Sequence, residues 1–153
     1  MEVKYRKVNA DDLLLVFNWA NEPTVRNNSY HSQFISLEEH TNWFKQKLQE
    51  KNSLIYIAEI DNEPAGMVRF EIAEEHAIVS IIVDQNFRGM SLASVFLEDC
   101  SKYYFDKNSK PILACIKSDN LASIHAFRKA NYSFLREEII NNIKSQIFKR
   151  ENA

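Results

Sequence analysis

The stretch Ala77–Phe105, AIVSIIVDQNFRGMSLASVFLEDCSKYYF, decides the fold. Its first part, AIVSIIVD, is nearly all apolar, as a strand buried on both faces is. Its last part places Leu92, Val95, Phe96, Cys100 and Tyr103 on a 3.6-residue stripe, which predicts a helix buried along those residues. Between them lies QNFRGMSLAS, with Gly89, one of two glycines in the chain. The first N–H groups of such a helix have no partners within it, and its dipole makes that end positive. Arg88 adds a fixed charge and a two-pronged donor, Ser91 and Ser94 add hydroxyls, and Gly89 keeps a Cβ out of the way. These features suit a phosphate, and they equally suit an ordinary capped turn. The residue orders GxxxxGK[ST] and GxGxxG are both absent.

Outward from this junction the pattern continues on both sides. VKYRKVN reads as a first strand and ADDLLLVFNWAN as a helix, capped by Asn9, with Asp11 and Asp12 in its first turn and Pro23 at its end. The polar stretch EPTVRNNSYHSQFI reads as a loop with at most one helical turn. Ser36 to Glu39 opens a second helix with a capping-box pattern, and Leu37, Phe44 and Leu48 mark its buried face, with Trp43 beside them. SLIYIAEI, the turn DNEP and AGMVRFEI form a hairpin that leads into AIVSIIVD. After the central helix, PILACIKSD is a buried strand, and NLASIHAFRKAN is a helix capped by Asp119 or Asn120. YSFLREEII and KSQIFKR are the last strands, hinged at Asn141-Asn142, with KSQIFKR offering an edge for pairing between subunits. The order predicts an α+β fold, a mixed, mostly antiparallel sheet of about seven strands covered by about four helices. The right-handed crossover through the central helix makes its flanking strands parallel.

Composition narrows the function. The 153 residues form a single expected domain, 45% hydrophobic and 26% charged. A net charge of −2 gives no global basic field for nucleic acid or an anionic membrane. No run spans a bilayer and the N-terminus lacks a signal peptide's apolar core, so the expected address is cytoplasmic. Cys100 and Cys115 match no metal spacing and read as small buried residues, so no metal site is expected.

VDQNFRGMSLAS resembles the acetyl-CoA pyrophosphate loop of the GNAT superfamily of N-acetyltransferases, with its Q/R-x-x-G-x-G/A pattern. Arg88 matches the first position, Ser91 replaces the first glycine, Ala93 matches the last, and Gly89 matches a glycine often found after the arginine. NLASIHAFRKANYSF is similar to the family's later segment at Asn120, Ser123, Ile124, Phe127, Lys129 and Tyr132, and the order of elements matches the whole domain. The resemblance implies a GNAT-like fold and acetyl-CoA as co-substrate, with a primary amine attacking the thioester directly. Backbone groups of Ile82 and Val83 would pair with the pantetheine arm. Arg88, Gly89, Met90, Ser91, Leu92 and Ala93 would hold the pyrophosphate, and Asn120, Ser123 and Phe127 would flank the cofactor. Phe127 stands where the family often has a tyrosine that protonates the leaving thiolate. Tyr132, His125 and Tyr103 are alternative donors.

Candidate bases are His76 and Glu71, near the turn before the central strand, and His31 in the early loop. The early segment is similar to a subgroup that includes ribosomal-protein N-terminal acetyltransferases, and to amino-sugar N-acetyltransferases of the pseudaminic-acid pathway. Trp19, Asn21, Arg26, Tyr30 and His31 are the implied acceptor-side residues, with His40 and Trp43 part of the likeness. Core packing explains Trp19 and Trp43 equally well. A small-molecule amine, a nucleotide-linked amino sugar, is the preferred acceptor, because the early segment lacks an acidic groove for a basic peptide. The alternatives are a protein N-terminal acetyltransferase and a non-catalytic acyl-CoA-binding module. The chain is expected to be a monomer or homodimer.

Overall fold

The computed structural model describes residues 1–152. A seven-stranded sheet runs in the order β1-β2-β3-β4-β5-β7-β6. Its strands are β1 (Val3–Lys7), β2 (Ser53–Ile60), β3 (Glu63–Ile72), β4 (Ala77–Val83), β5 (Ile112–Lys117), β6 (Ser133–Ile140) and β7 (Ile143–Arg150). Every neighbouring pair is antiparallel except β4 and β5, which are parallel, as the crossover requires. Five helices cover the sheet: α1 (Leu13–Ala20), α2 (Pro23–Asn28), α3 (Leu37–Gln49), α4 (Leu92–Lys107) and α5 (Leu121–Lys129). The β2–β3 and β6–β7 hairpins turn on left-handed pairs, Asp61-Asn62 (φ 52° and 66°) and Asn141-Asn142 (φ 50° and 64°), residue types that tolerate this conformation.

The sheet separates two apolar clusters. One holds Phe96, Leu97, Cys100 and Tyr104 of α4 with Ile124 and Phe127 of α5. The other joins Val16 and Trp19 of α1 to Phe44 of α3 over Ile57 and Met67. Gly66 allows the close packing of β3 under α4: a Cβ there would lie 2.6 Å from the Ile82 carbonyl oxygen and 2.8 Å from the Phe96 ring.

Several expectations are corrected. Pro23 does not end a helix but starts α2, where its missing N–H costs nothing and Glu22 caps the turn. The buried stripe of α4 runs through Leu92, Phe96, Leu97, Cys100, Ser101 and Tyr104, leaving Val95 and Tyr103 exposed. The apolar pattern misplaces this stripe because it contains a serine: Ser101 is buried and hydrogen-bonded to the Tyr132 hydroxyl at 2.7 Å. In α3, likewise, Leu37 is exposed and His40 is buried, its Nε2 2.9 Å from the Leu13 carbonyl oxygen and its ring stacked on Phe44. Burial lowers the His40 pKa. Cys115 is half-buried, not buried like Cys100. KSQIFKR, in β7, lies inside the sheet, and the edge strands are β1 and β6.

Candidate functional site

β4 and β5 pair only at Ala77↔Ile112 and Ile78↔Leu113, then diverge. The β3–β4 ladder fixes which β4 groups face the opening. The Asp84 N–H donates to Ala65 and the Ala73 N–H to His76, both at 2.8 Å. Backbone groups alternate sides along an antiparallel strand, so Ile78, Ser80 and Ile82 turn to β3 while Val79, Ile81 and Val83 turn to the gap. Ile82, expected on the free edge, therefore has its backbone on β3 and its side chain against the α1–α3 cluster; Ile81 takes its place. The Val83 carbonyl accepts from Arg88 Nε at 3.1 Å, which leaves the Ile81 amide and carbonyl and the Val83 N–H facing the opening.

The loop that follows ends at an open helix. Asp84 Oδ1 accepts from the Asn86 N–H at 2.8 Å and holds a short 3-10 turn, Gln85–Phe87. Gly89 has φ +79°, with no atom within 4 Å of a would-be Cβ, so the turn uses its backbone freedom and the face above it stays clear. Ser91 enters α4 in the left-handed conformation, φ 57° and ψ 30°, where a glycine would be unstrained. Among the described residues no side chain caps α4, and the Ser94 hydroxyl donates to the Ser91 carbonyl instead. The N–H groups of a 16-residue helix thus point out where the free β4 edge ends. A strand edge running into an open helix N-terminus fits an amide arm joined to a diphosphate.

Arg88 is not free for that role. Its Nη2 meets Glu22 Oε2 at 2.8 Å, and the guanidinium holds the Glu22 carboxyl below the usual carboxylate range. On the α5 side, Asn120 Oδ1 accepts from the Ser123 N–H at 3.3 Å and caps the helix. Phe127 is buried edge-on against Tyr132, with ring centroids 5.1 Å apart. The alternative proton donors lie elsewhere. Tyr132 is bonded to Ser101 beneath α4, Tyr103 packs edge-on against Tyr5 and tilted against Tyr56 near β1 and β2, and His125 is exposed on α5. Ser118, just past β5, has a buried Oγ with no hydrogen-bond partner among the described residues; no sequence motif marked it.

The acceptor-side residues are mostly engaged with their own chain. Trp19 is buried and its Nε1 donates to Asp84 Oδ2 at 2.8 Å. Asn21 holds both the carbonyl and the N–H of Ile35, at 2.9 and 2.8 Å. Arg26 donates to the Ala20 and His31 carbonyls, each at 2.6 Å, and to Ser29 Oγ at 3.2 Å. Tyr30 OH donates to the buried Ser145 Oγ at 2.7 Å, and His31 is exposed. Glu138, Ser145 and Lys117 form a cross-strand row on this face, which sequence spacing alone did not single out. Burial raises the Tyr30 and Cys115 pKa values, and the nearby Glu138 carboxylate adds to both shifts. Glu71 and His76 lie at the opposite end of β4, roughly 20 Å from Val83 by strand rise, and Glu71 is held by Lys47 at 3.2 Å. The structure thus does not bring them to the opening. Among the described residues no His, Cys, Asp and Glu cluster could hold a metal ion, and no helix is long and apolar enough to cross a membrane.

Comparison with known proteins agrees with this fold. The model of the Acetyltransferase (GNAT) family matches residues 14–132, and the chain belongs to that family. Over 91 residues the chain is 25% identical to an uncharacterized N-acetyltransferase, YfmK, of Bacillus subtilis (strain 168). That match spans 60% of this chain and 62% of the relative's length. The fold is shared with spermidine N-acetyltransferase from Vibrio cholerae in complex with CoA and spermine, at TM-score 0.88 and 15% identity over 97% of this chain and 95% of that one. It is shared as well with AAC(6')-Ib in complex with parmomycin and acetyl-CoA, at TM-score 0.86 and 15% identity over 99% and 94% of the two chains. An N-acetyltransferase from Staphylococcus aureus Mu50 aligns at TM-score 0.82 and 19% identity, over 99% of each chain.

Proposed function

We propose that the protein transfers the acetyl group of acetyl-CoA to the primary amine of a small molecule. The observation that carries this reading is the meeting of the free β4 edge and the open α4 N-terminus. Ile81 and Val83 would receive the pantetheine arm as an added strand, and the backbone from Arg88 through Gly89, Met90, Ser91 and Leu92 to Ala93 would hold the diphosphate. Asn120, Ser123 and Phe127 flank the arm from α5. Acetyl-CoA supplies an activated acyl group, which the deprotonated acceptor nitrogen takes directly: a C–N bond forms, the C–S bond breaks, and coenzyme A leaves as a thiolate that takes up, through solvent, the second proton the nitrogen sheds. The Val83 N–H polarises the carbonyl. The acceptor's ammonium proton passes to solvent through His31 or Glu138, the titratable groups bordering the acceptor face. Neither cysteine is needed.

For the acceptor we favour a free cationic amine, a polyamine or an amino sugar, over a nucleotide-linked sugar. Nucleotide phosphates need an available cation, and Arg26 and Lys117 are both bonded to backbone carbonyls. Glu138, on exposed β6 in the row with Ser145 and bridged to Arg136 at 3.1 Å in an exposed ion pair that water screens, suits a second positive charge on the acceptor instead. Thiol release from acetyl-CoA should be measured with spermidine, an aminoglycoside, a nucleotide-linked amino sugar and an N-terminal peptide. Release with either of the first two, and little with the others, is expected. Release only with the peptide would overturn the acceptor class. Acetyl-CoA binding without release for any amine would leave a non-catalytic module, the reading that Phe127 in place of a proton donor favours.

A further inference from the structure

Two side-chain ties join the cofactor loop to the acceptor segment, and both converge beside Val83. Asp84 uses each carboxylate oxygen: one holds the Asn86 N–H in the loop turn, the other the Trp19 indole N–H of α1, both at 2.8 Å. Arg88 is shared in the same way, between the Val83 carbonyl at 3.1 Å and Glu22 at 2.8 Å. Glu22 in turn caps α2, accepting from the Val25 N–H at 3.3 Å. At its other end, this segment reaches the far side of the opening. Lys117 Nζ donates to the Asn27 carbonyl at 2.8 Å, and Tyr30 OH to Ser145 Oγ at 2.7 Å. Helices α1 and α2 thus span the gap between β4 and β5, fastened on both banks.

We propose that this span couples the two ligands: acetyl-CoA seated on the loop orders α1 and α2, and with them the acceptor face. Asp84 and Arg88 are the positioning residues on the loop, and Trp19 and Glu22 receive the effect. The proposal rests on the acetyl-CoA reading above. A ligand that immobilises the backbone from Val83 to Leu92 fixes the Asp84 carboxylate and the Arg88 guanidinium. Their partners on α1 and α2 then lose alternative positions, and a second ligand that needs α1 and α2 ordered binds at less entropic cost. By reciprocity, an acceptor amine tightens coenzyme A binding by the factor that coenzyme A tightens the amine, about 5–150-fold in typical couplings.

Hydrogen–deuterium exchange of the full chain with and without coenzyme A tests this without knowledge of the acceptor. In the wild type, coenzyme A should slow exchange over residues 85–92 and, by about fivefold or more, over residues 13–30. Trp19→Phe with Glu22→Ser keeps a buried ring and a capping oxygen, but removes the indole N–H and the carboxylate that reaches Arg88. That variant should keep the slowing over 85–92 and lose it over 13–30. Tyr30→Phe with Lys117→Met removes both far-bank ties and leaves the near bank intact: protection should persist over 13–22 and fall over 23–30, so the proposal is tested even if the first double variant does not fold. Slowing over 85–92 alone in the wild type, or equal slowing over 13–30 in the first double variant, would overturn the coupling. No slowing in either segment would overturn the acetyl-CoA reading itself.

Discussion

Helices α4 and α5 both begin where one of the two parallel strands ends, and they begin differently. Asn120 closes α5 by accepting a first-turn N–H with its side chain. Ser91 leads into α4 left-handed, and no described side chain accepts from that helix. A protein that needed only stability would cap both ends, since a cap is worth about 1 kcal/mol. The difference leaves α5 completed by its own chain and α4 open, and the open end coincides with the free edge of β4, which is what the proposed diphosphate site requires.

The contrast can be broken from the α4 side. Ser91→Asp puts a carboxylate at the open end, a residue type that tolerates the left-handed region. Coenzyme A affinity, measured calorimetrically, should fall on the order of 100-fold through like-charge repulsion, while thermal stability holds or rises. Next in size is Gly66→Ala, which forces a Cβ against the Ile82 carbonyl and Phe96 beneath α4. Chemical denaturation should show a loss of about 1–3 kcal/mol. From the α5 side, Asn120→Ala should cost about 1 kcal/mol of stability, whereas Ser91→Ala should cost little, because no capping bond is lost. Ser91→Gly relieves the left-handed strain and should raise stability by up to ~1 kcal/mol. The Glu22–Arg88 tie gives a pH signature. The Glu22 pKa is lowered in the folded state by Arg88, so its contribution is present above the unfolded value of about 4.3 and is lost as pH falls through the folded value. Exchange protection of α2 should therefore stay flat from pH 8 to about 5 and decline below about 4.

Much of this was legible in the sequence because it is local. AIVSIIVD, the Arg88-Gly89 junction and a cap at Asp119 or Asn120 each announce themselves within a few residues, the fold choosing Asn120, and the family resemblance followed from those segments. What the sequence hid falls into two kinds. Polar residues in core places, His40 and Ser101, break the apolar count, and only the Leu13 carbonyl and the Tyr132 hydroxyl that satisfy them explain their burial. Contacts between distant positions leave no local trace. Trp19 and Asp84 are 65 residues apart, and Arg88 and Glu22 are 66 apart, so their pairing is invisible until the chain folds. The same holds for the β3–β4 ladder, which decides that Ile81 rather than Ile82 faces the opening, and for the short β4–β5 register, which puts the opening at the end of β4 away from His76 and Glu71. Arg88 is the sharpest case. Its side chain reads as a phosphate ligand in sequence, yet in the fold it fastens Glu22 and Val83.

The most direct measurement is the affinity of the wild type and of Ser91→Asp for coenzyme A and for pantetheine, which lacks the diphosphate and the nucleotide. If α4 is left open for the diphosphate, the wild type binds coenzyme A at least ~100-fold more tightly than pantetheine. Ser91→Asp then removes most of that gap and leaves pantetheine affinity unchanged. Equal affinities in the wild type, or a gap that Ser91→Asp does not narrow, would contradict it.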